Sequence, residues 1–306
     1  LGRAGKLYVA HILVFVVAAS LVATAAMRTN NPLYFELVNL LPLFNEPHTA
    51  LRDAIVLSYQ PHLMDILPMY VLFLASFPLV AWLVYRLPLA ALAVSASLYL
   101  FIAFTGFNLR NGPNAGEWFF NPFAWQFLFV IGAVAGSAAM AGVALPRSKS
   151  LIAAAALYCL FAFVAASHWS PVDLSALSAL IGMDWQLDVN KTALSAWRLV
   201  HVLAMAYLFA ALVPAQSRWL ERPVSRALAL CGRHSLYVFC LGILLSVLGH
   251  IVILEYGSSL PVLALVNGVG IGLLLACAAS VEIYERLTVG KKPAPSGRAA
   301  PELASG

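Results

Sequence analysis

Charge is scarce in this chain. Asp, Glu, Lys and Arg make up only 10% of its 306 residues, whereas about 25% is usual in soluble globular domains. Hydrophobic residues reach 62%, and the mean hydropathy is +0.88. A water-soluble domain is therefore excluded, and the composition is typical of a protein embedded in lipid.

Cysteine pairs and short catalytic motifs are also missing. The four cysteines (Cys159, Cys231, Cys240 and Cys277) stand singly and without close spacing, so the sequence predicts neither disulfides nor a metal site. No P-loop, G-x-S-x-G, H-E-x-x-H or C-x-x-C pattern occurs, and each of these marks a distinct chemistry. No bound cofactor is expected.

Long apolar runs dominate what is present. Eight of them have spanning length: 7–27, 64–85, 87–106, 122–143, 150–168, 194–214, 235–254 and 260–281. At about 1.5 Å of rise per residue, such runs cross a hydrocarbon core as helices. Their continuous apolar character excludes the alternation of a membrane β-barrel. The sequence thus predicts an all-α polytopic membrane bundle of eight helices.

The basic residues sort by side of the membrane. Alternate connections and ends carry 13 Lys and Arg on one side and 5 on the other, which accounts for all 18. By the positive-inside rule the richer side is cytoplasmic, so both ends of the chain are expected in the cytoplasm, as in a bacterial inner-membrane protein. The net charge of +5 then indicates contact with anionic lipid head groups rather than with nucleic acid.

One membrane domain, residues 1–287, is predicted, followed by a disordered cytoplasmic tail at 288–306. Segment 215–234 is predicted to be an amphipathic helix at the membrane surface. The outer connections 28–63, 107–121 and 169–191 collect polar and aromatic residues. An outward-facing site is therefore favoured, because such loops commonly carry function.

The first candidate residues lie at the outer mouth of the second span. Asp65 and Tyr70 accompany Pro68 and Pro78, and these prolines are expected to kink the helix and to shape a pocket. Substrate binding by Asp65 and Tyr70 is one interpretation. The alternative is that Asp65 only caps the helix from the interface.

A second polar and aromatic cluster opens the fourth span. Glu117, Trp118, Asn121, Trp125 and Gln126 lie within ten residues, and Asn121 precedes a proline in the pattern of a helix N-cap. The tryptophans are either an ordinary interfacial belt or stacking platforms for sugar rings. The neighbouring Glu117 and Gln126 favour a glycan site.

Two further groups of ionisable residues fall within spans, where a buried charge is costly. Arg198 and His201 lie three residues apart on one helix face and can hold a carboxylate, a thioester carbonyl or a phosphate. Alternatively, Arg198 reaches the head groups and His201 bonds a neighbouring helix. His11, following Arg3 and Lys6, is predicted on the cytoplasmic, donor side, either meeting an anionic donor or bonding between helices.

Several stretches together resemble a known family. They are LYVAHILVFVV at 7–17, YQPHLMDILPMYVLFLASFPLV at 59–80, WFFNPFAWQFLFVIGA at 118–133, KTALSAWRLVHVLAMAYL at 191–208 and GRHSLYVFCLGILLSV at 232–247. In this order they are similar to the OpgC family, part of a broad membrane acyltransferase group built on about ten helices. The resemblance implies succinylation, or another acylation, of osmoregulated periplasmic glucans.

The resemblance also implies two additional spans before this sequence, the first carrying the proposed catalytic histidine. These 306 residues as they stand are therefore expected to be inactive. Restoring the upstream coding sequence and assaying acyl transfer tests that expectation.

In the implied reaction a histidine takes the proton of a sugar hydroxyl as it attacks the thioester of acyl-CoA. Arg198, His201 and Gln126 are support candidates, with Arg198 or Gln126 serving the developing oxyanion. Asp65 and Glu117 would orient the periplasmic glycan. Two other functions stay open: a transporter of a glycan or lipid intermediate, and a non-catalytic membrane partner of a glucan synthase.

Overall fold

The structure is a computed structural model that describes residues 2–113, 116–166, 191–214 and 217–289. The chain forms two compact units, Leu1–Arg218 and Trp219–Gly306. Nearly all of the predicted outer connection 169–191, and nearly all of the predicted tail at 288–306, lie outside the described residues.

Helices dominate both units. In the first unit they are α1 (Gly2–Thr29), α2 (Leu33–Leu37), α3 (Leu41–Asn45), α4 (Pro47–Ile55), α5 (Ile66–Arg86), α6 (Pro88–Thr105), α7 (Pro122–Met140), α8 (Lys149–Ala166) and α9 (Ala196–Leu212). A hairpin of two short strands, β1 (Arg110–Asn111) and β2 (Gly116–Glu117), joins α6 to α7. A 3₁₀ turn at Arg218–Glu221 precedes the second unit's α10 (Pro223–Arg233), α11 (Ser235–Tyr256) and α12 (Leu260–Val289).

The predicted all-α class is confirmed. Among the described residues, six helices are long and apolar enough to cross a membrane: α1, α5, α6, α7, α11 and α12. The other two predicted spans correspond to shorter apolar helices, Lys149–Phe163 of α8 and Ala196–Leu212. The protein is thus a multi-pass membrane protein, with six spans identified by length and composition.

Local sequence signals fix several helix ends. Helices α4, α6 and α10 each have a proline in the first turn: Pro47, Pro88 and Pro223. A backbone N–H in the first turn has no partner within the helix, so proline loses no hydrogen bond there. The Asn121 side chain accepts a hydrogen bond from the Phe123 N–H, which confirms the predicted N-cap. Gly106 ends α6 with a positive φ of 67°, a conformation that glycine adopts without strain.

Pro68 lies at the start of α5, and a break of the helix at this residue is not observed, while the kink predicted at Pro78 stays a prediction. Helix α5 begins at Ile66 and runs to Arg86 with only Pro78 inside it. Pro68 falls in the first turn, where backbone N–H groups have no partner within the helix in any case. Helix α5 is therefore continuous from Ile66 to Arg86.

Helices α5, α6 and α7 pack as a three-helix layer. Val84 of α5, Ala91 of α6 and Val130 of α7 form one buried cluster, while Tyr99 and Ala124 belong to another nearer the hairpin. Contacts pair the end of α6 with the start of α7, so these two helices are antiparallel and α5 runs parallel to α7.

The connection between α1 and α5 folds back along α1. The Tyr8 hydroxyl donates to the Ile55 carbonyl at 2.9 Å, and the Phe15 ring meets the Tyr59 ring edge-on at 6.0 Å. Tyr59 is fully buried, and its hydroxyl donates to the Asn39 carbonyl at 2.6 Å. Residues 55–59 thus lie against the N-terminal half of α1.

The hairpin docks onto that same connection. Asn111 accepts from the Gln60 backbone N–H at 2.9 Å and donates to the Gln60 carbonyl at 3.2 Å. Gly112 lies so close to Tyr59 that a Cβ there would be 2.9 Å from the Tyr59 Cβ. Two connections far apart in sequence therefore become one layer above α5 and α7.

The second unit is a packed pair of long helices with a short one beside them. Val266 of α12 lies against Gly249 of α11, and Leu274 against Gly242, so the two helices are antiparallel. At their far end the His234 Nε2 and the Glu282 carboxylate are 2.9 Å apart, and Arg286 also pairs with Glu282 at 2.9 Å.

Candidate functional site

A polar cavity of about 210 Å³ opens where the connection before α5 meets the hairpin. Three predicted substrate-binding residues, Asp65, Glu117 and Trp118, share its wall. The remaining lining residues are Gln60, Pro61, His62, Asn111, Phe119 and Thr192. We call this space the polar cavity.

Gln60 is the most informative residue of the polar cavity. Its side chain is only 3% exposed, and its amide Nε2 donates to the Leu57 carbonyl at 3.0 Å. Its Oε1 is buried and has no hydrogen-bond partner among the described residues. An unpaired buried oxygen costs about 1–3 kcal/mol, so a ligand with a donor group would recover that loss.

Asp65 stands at the N-cap position of α5, beside the cavity. Its side chain makes no capping hydrogen bond, which leaves the carboxyl available to a ligand. Burial raises the pKa of the Asp65 carboxyl, and a bond to its own backbone N–H and the charge of His62 offset this only in part. The carboxyl therefore holds its proton to a higher pH than an exposed aspartate does.

Glu117 and Trp118 come from the second strand of the hairpin. Trp118 is only 4% exposed, and its backbone N–H donates to the Leu109 carbonyl at 2.8 Å. Glu117 is exposed and lies opposite Arg110 in the strand register. The tryptophan therefore forms a fixed wall, while the glutamate offers a carboxylate at the rim.

An apolar groove of about 480 Å³ lies between α5 and α7. We call it the apolar groove. Tyr70 and Trp125, both predicted to bind substrate, belong to it rather than to the polar cavity. The other lining residues are Ile66, Met69, Phe73, Phe77, Phe120, Leu128, Phe129, Gly132 and Ala133. The Trp125 indole N–H donates to the Lys191 carbonyl at 2.9 Å, which fixes the ring near the start of α7.

Asn121 and Gln126 have their polar atoms engaged within the protein. The Asn121 amide donates to the Phe107 carbonyl at 2.7 Å while its oxygen caps α7. Gln126 accepts from the Ser95 hydroxyl at 2.6 Å and donates to the Ser95 and Phe123 carbonyls. These contacts give both residues structural roles, and their parts in binding and catalysis stay predictions.

Arg198 and His201 lie on α9. The Arg198 Nε and the Ser195 hydroxyl are buried without a partner among the described residues. Of the two spaces above, neither has Arg198 or His201 among its lining residues. Their proposed support of catalysis also stays a prediction.

The predicted donor-side residues begin α1. Arg3 and Lys6 are exposed, whereas His11 is completely buried, and neither ring nitrogen has a hydrogen-bond partner among the described residues. His11 shares a helix face with Tyr8 and Phe15, and that face is covered by residues 55–59. Tyr8 and Phe15, one turn before and after His11, contact Ile55 and Tyr59 of that segment.

Sequence reasoning left four polar lining residues of the cavity out of the predicted site: Gln60, His62, Asn111 and Thr192. Gln60 stands in a polar cluster next to His62, but its importance arises from burial, which no local pattern shows. Asn111 reads as an ordinary turn residue. In the described part of the chain, no group of three His, Cys, Asp or Glu side chains is arranged to hold a metal ion.

Comparison with known proteins identifies the family. The model of the OpgC protein family matches residues 1–286, which is almost the whole chain. The chain belongs to the OpgC family. Membership indicates involvement in the modification of osmoregulated periplasmic glucans. No curated protein and no solved structure matches the chain.

The family match confirms the resemblance carried by the five sequence blocks. Two of those blocks supply the site: 59–80 carries Gln60, His62 and Asp65, and 118–133 begins with Trp118. The polar cavity is therefore built largely from the segments that carry the resemblance.

Proposed function

We propose that this protein is an inner-membrane O-acyltransferase that esterifies a periplasmic glucan, and that the polar cavity holds the sugar being modified. The acyl group, with succinyl as the first candidate, would come from acyl-CoA on the cytoplasmic side. Both termini lie in the cytoplasm in this proposal, and the polar cavity opens outward.

The observation that carries the proposal is the unpaired Gln60 Oε1 in a cavity rich in acceptors. Gln60, Asp65 and Glu117 all present oxygens, and sugar hydroxyls are hydrogen-bond donors as well as acceptors. Such a set suits a neutral polyol better than a phosphate or another anion, which carboxylates would repel. Trp118 adds a rigid apolar wall against which a sugar ring can lie.

The reaction itself is an acyl transfer. The sugar hydroxyl gives its proton to a base as its oxygen bonds to the thioester carbonyl carbon. The carbon–sulfur bond then breaks, and the protonated base returns the proton to the departing sulfur, so that CoA leaves as a thiol. His62 and Asp65 are the cavity's proton carriers in this chain. Gln60 and Glu117 would orient the hydroxyl for attack, since alignment alone contributes much of such a rate.

Replacement of Gln60 at the chromosomal locus tests the proposal. Gln60→Leu should lower the acyl ester content of the periplasmic glucans about tenfold, because one buried hydrogen bond to the sugar is lost. Gln60→Glu keeps an acceptor oxygen in place but loses the amide bond to the Leu57 carbonyl, so it should retain more ester than Gln60→Leu but less than wild type. Ester content is measured by mass spectrometry of extracted glucans, with membrane levels of each variant compared by immunoblot.

The same extracts separate the rival functions. A transporter would show glucan retained in the cytoplasm, and a partner of the synthase would show altered polymer length or amount with normal esters. Normal ester content in the Gln60→Leu strain, at an unchanged protein level, would contradict the proposed role of the polar cavity.

A further inference from the structure

The polar cavity is small for a ligand site. Its volume of about 210 Å³ lies below the range of roughly 300–1,000 Å³ that is usual for sites of drug-sized ligands. A single hexose ring fills a space of this size, and a second ring has no room beside it. A glucan bound there therefore places one sugar unit in the cavity and leaves its neighbouring units outside.

Hydrogen bonds hold the backbone of two parts of the cavity wall. The Trp118 N–H donates to the Leu109 carbonyl at 2.8 Å, and the Trp118 carbonyl accepts from the Asn108 side-chain amide at 2.8 Å. The Gln60 backbone is bonded through both its N–H and its carbonyl to the Asn111 side chain. Because these walls are held in place, the cavity cannot widen easily, and its volume limits what can bind.

The charge of the lining limits the ligand further. Among the described lining residues, Asp65 and Glu117 carry carboxyl groups and none is a lysine or an arginine. Arg110 lies opposite Glu117 in the hairpin but is exposed and is not part of the lining. The charge of the exposed His62 already acts on Asp65. An acidic group brought into the cavity would lose its water without gaining a basic partner, which makes its transfer unfavourable.

From the size and the charge of this lining we infer that the polar cavity selects one neutral, unsubstituted sugar unit and rejects a unit that already bears an acidic group. The inference rests on the proposed function, which places a sugar there. A succinyl ester ends in a carboxylate, so the product of the proposed reaction is itself rejected and leaves the cavity. Each sugar unit then receives one acidic acyl group at most.

Binding of four methyl glycosides to the full chain in nanodiscs tests this selection, with titrations followed by saturation-transfer NMR. Methyl β-glucoside supplies one neutral unit, and the methyl glycosides of a β-linked glucose disaccharide and trisaccharide supply two and three. Their dissociation constants should agree within about twofold, because units left in water contribute no contact. Methyl β-glucuronide has nearly the size of the glucoside but carries a carboxylate, and it should bind more weakly by about tenfold.

Two variants separate the charge of the cavity from the charge of the whole protein. Glu117→Gln keeps an acceptor oxygen and removes one negative charge from the lining. It should reduce the preference for the glucoside over the glucuronide about threefold, the usual size of an exposed charge interaction. Glu46 is also exposed but does not line the cavity, so Glu46→Gln is the matched control and should leave the preference unchanged.

Three results would overturn the inference: an affinity that rises about tenfold with each added unit, equal binding of the glucoside and the glucuronide, or no binding of the glucoside. If Gln60→Leu lowers the ester content in cells but affinity grows with glycan length, the proposed function stands and the selection of one unit does not. If the four ligands bind as expected but esters are unaffected by Gln60→Leu, the cavity is a sugar site and the proposed transfer fails.

Discussion

Gly112 is the single residue on which the docking of the hairpin depends most closely. A methyl group at this position would be 2.9 Å from the Tyr59 Cβ and 3.0 Å from its Cα. Because Tyr59 is buried and hydrogen-bonded to Asn39, Tyr59 cannot easily move away from the added methyl group. The hairpin would have to shift and would carry Asn111 away from Gln60.

Gly112→Ala is therefore expected to lower stability by about 1–3 kcal/mol, the usual cost of overpacking. Thermal unfolding of the purified protein measures this as a lower Tm. Gly136→Ala, where the new methyl meets nothing within 4 Å, should leave the Tm unchanged or raise it slightly. An unchanged Tm for Gly112→Ala would show that the hairpin does not lie against Tyr59.

Asp65 gives the protein a specific dependence on pH. Its carboxyl pKa is raised in the folded state, so the folded protein binds more protons than the unfolded chain between the ordinary and the raised pKa. Stability should then fall as pH rises through that window and stay lower above it.

Asp65→Asn removes the ionisation. The Tm of this variant should therefore increase relative to that of wild type as pH rises from about 4 toward neutrality. Unfolding is followed at a series of pH values in one detergent. A Tm difference that stays constant over the whole pH series would show that the Asp65 carboxyl is exposed to water rather than buried beside the cavity.

For individual residues, the sequence predicts only part of the candidate site. It indicates Asp65, Glu117 and Trp118, because charge and aromatic rings at the mouth of a span are unusual. It cannot indicate Gln60, since the unpaired oxygen exists only after the amide has bonded to Leu57 and the hairpin has covered it. Gln126 shows the opposite error. A polar residue in a span suggested a functional role, but its side chain is hydrogen-bonded to Ser95 of the neighbouring helix.

Among the helices of the second unit, α11 and α12 approach closely at one glycine. A Cβ at Gly249 would lie 3.0 Å from the Val266 Cγ1, and valine has little rotamer freedom in a helix. Close approach through a small residue is a common mode of packing between membrane helices.

Gly249→Ala should cost about 1 kcal/mol, and adding Val266→Ala should restore much of the loss, which a double-mutant cycle measures. Gly270→Ala on α12, with open space at its Cβ, is the control and should be neutral or better. Additive effects of Gly249→Ala and Val266→Ala would mean that the two residues do not touch.

Helices were the most predictable level of structure. Length and hydropathy identify all eight apolar segments, because a backbone in lipid has no alternative to the helix. The path of residues 30–65 along α1 was not predictable, since it depends on contacts between residues far apart in the sequence. Contacts such as Tyr8 with Ile55 join residues whose proximity no local pattern reveals.

For the molecule as a whole, orientation in the membrane is the decisive property. It follows from the imbalance of Lys and Arg between alternate connections, and labelling with a membrane-impermeant maleimide measures it. In a variant whose four cysteines are replaced by alanine, Arg110→Cys should be labelled from the periplasm of intact cells. Arg226→Cys should react only after the membrane is permeabilised. The opposite result would show that the orientation of the protein in the membrane is the reverse of the predicted one.

Translation order has a bearing on how the polar cavity is completed. Its walls come from residues 60–65, then from 111–119, and finally from Thr192, and the ribosome delivers these stretches one after another. A nascent chain arrested before residue 192 has already inserted every acidic side chain of the cavity but lacks its last wall. The ability to bind a ligand in the polar cavity should therefore arise only after residue 192 has been made, while α11 and α12 are still to be synthesised.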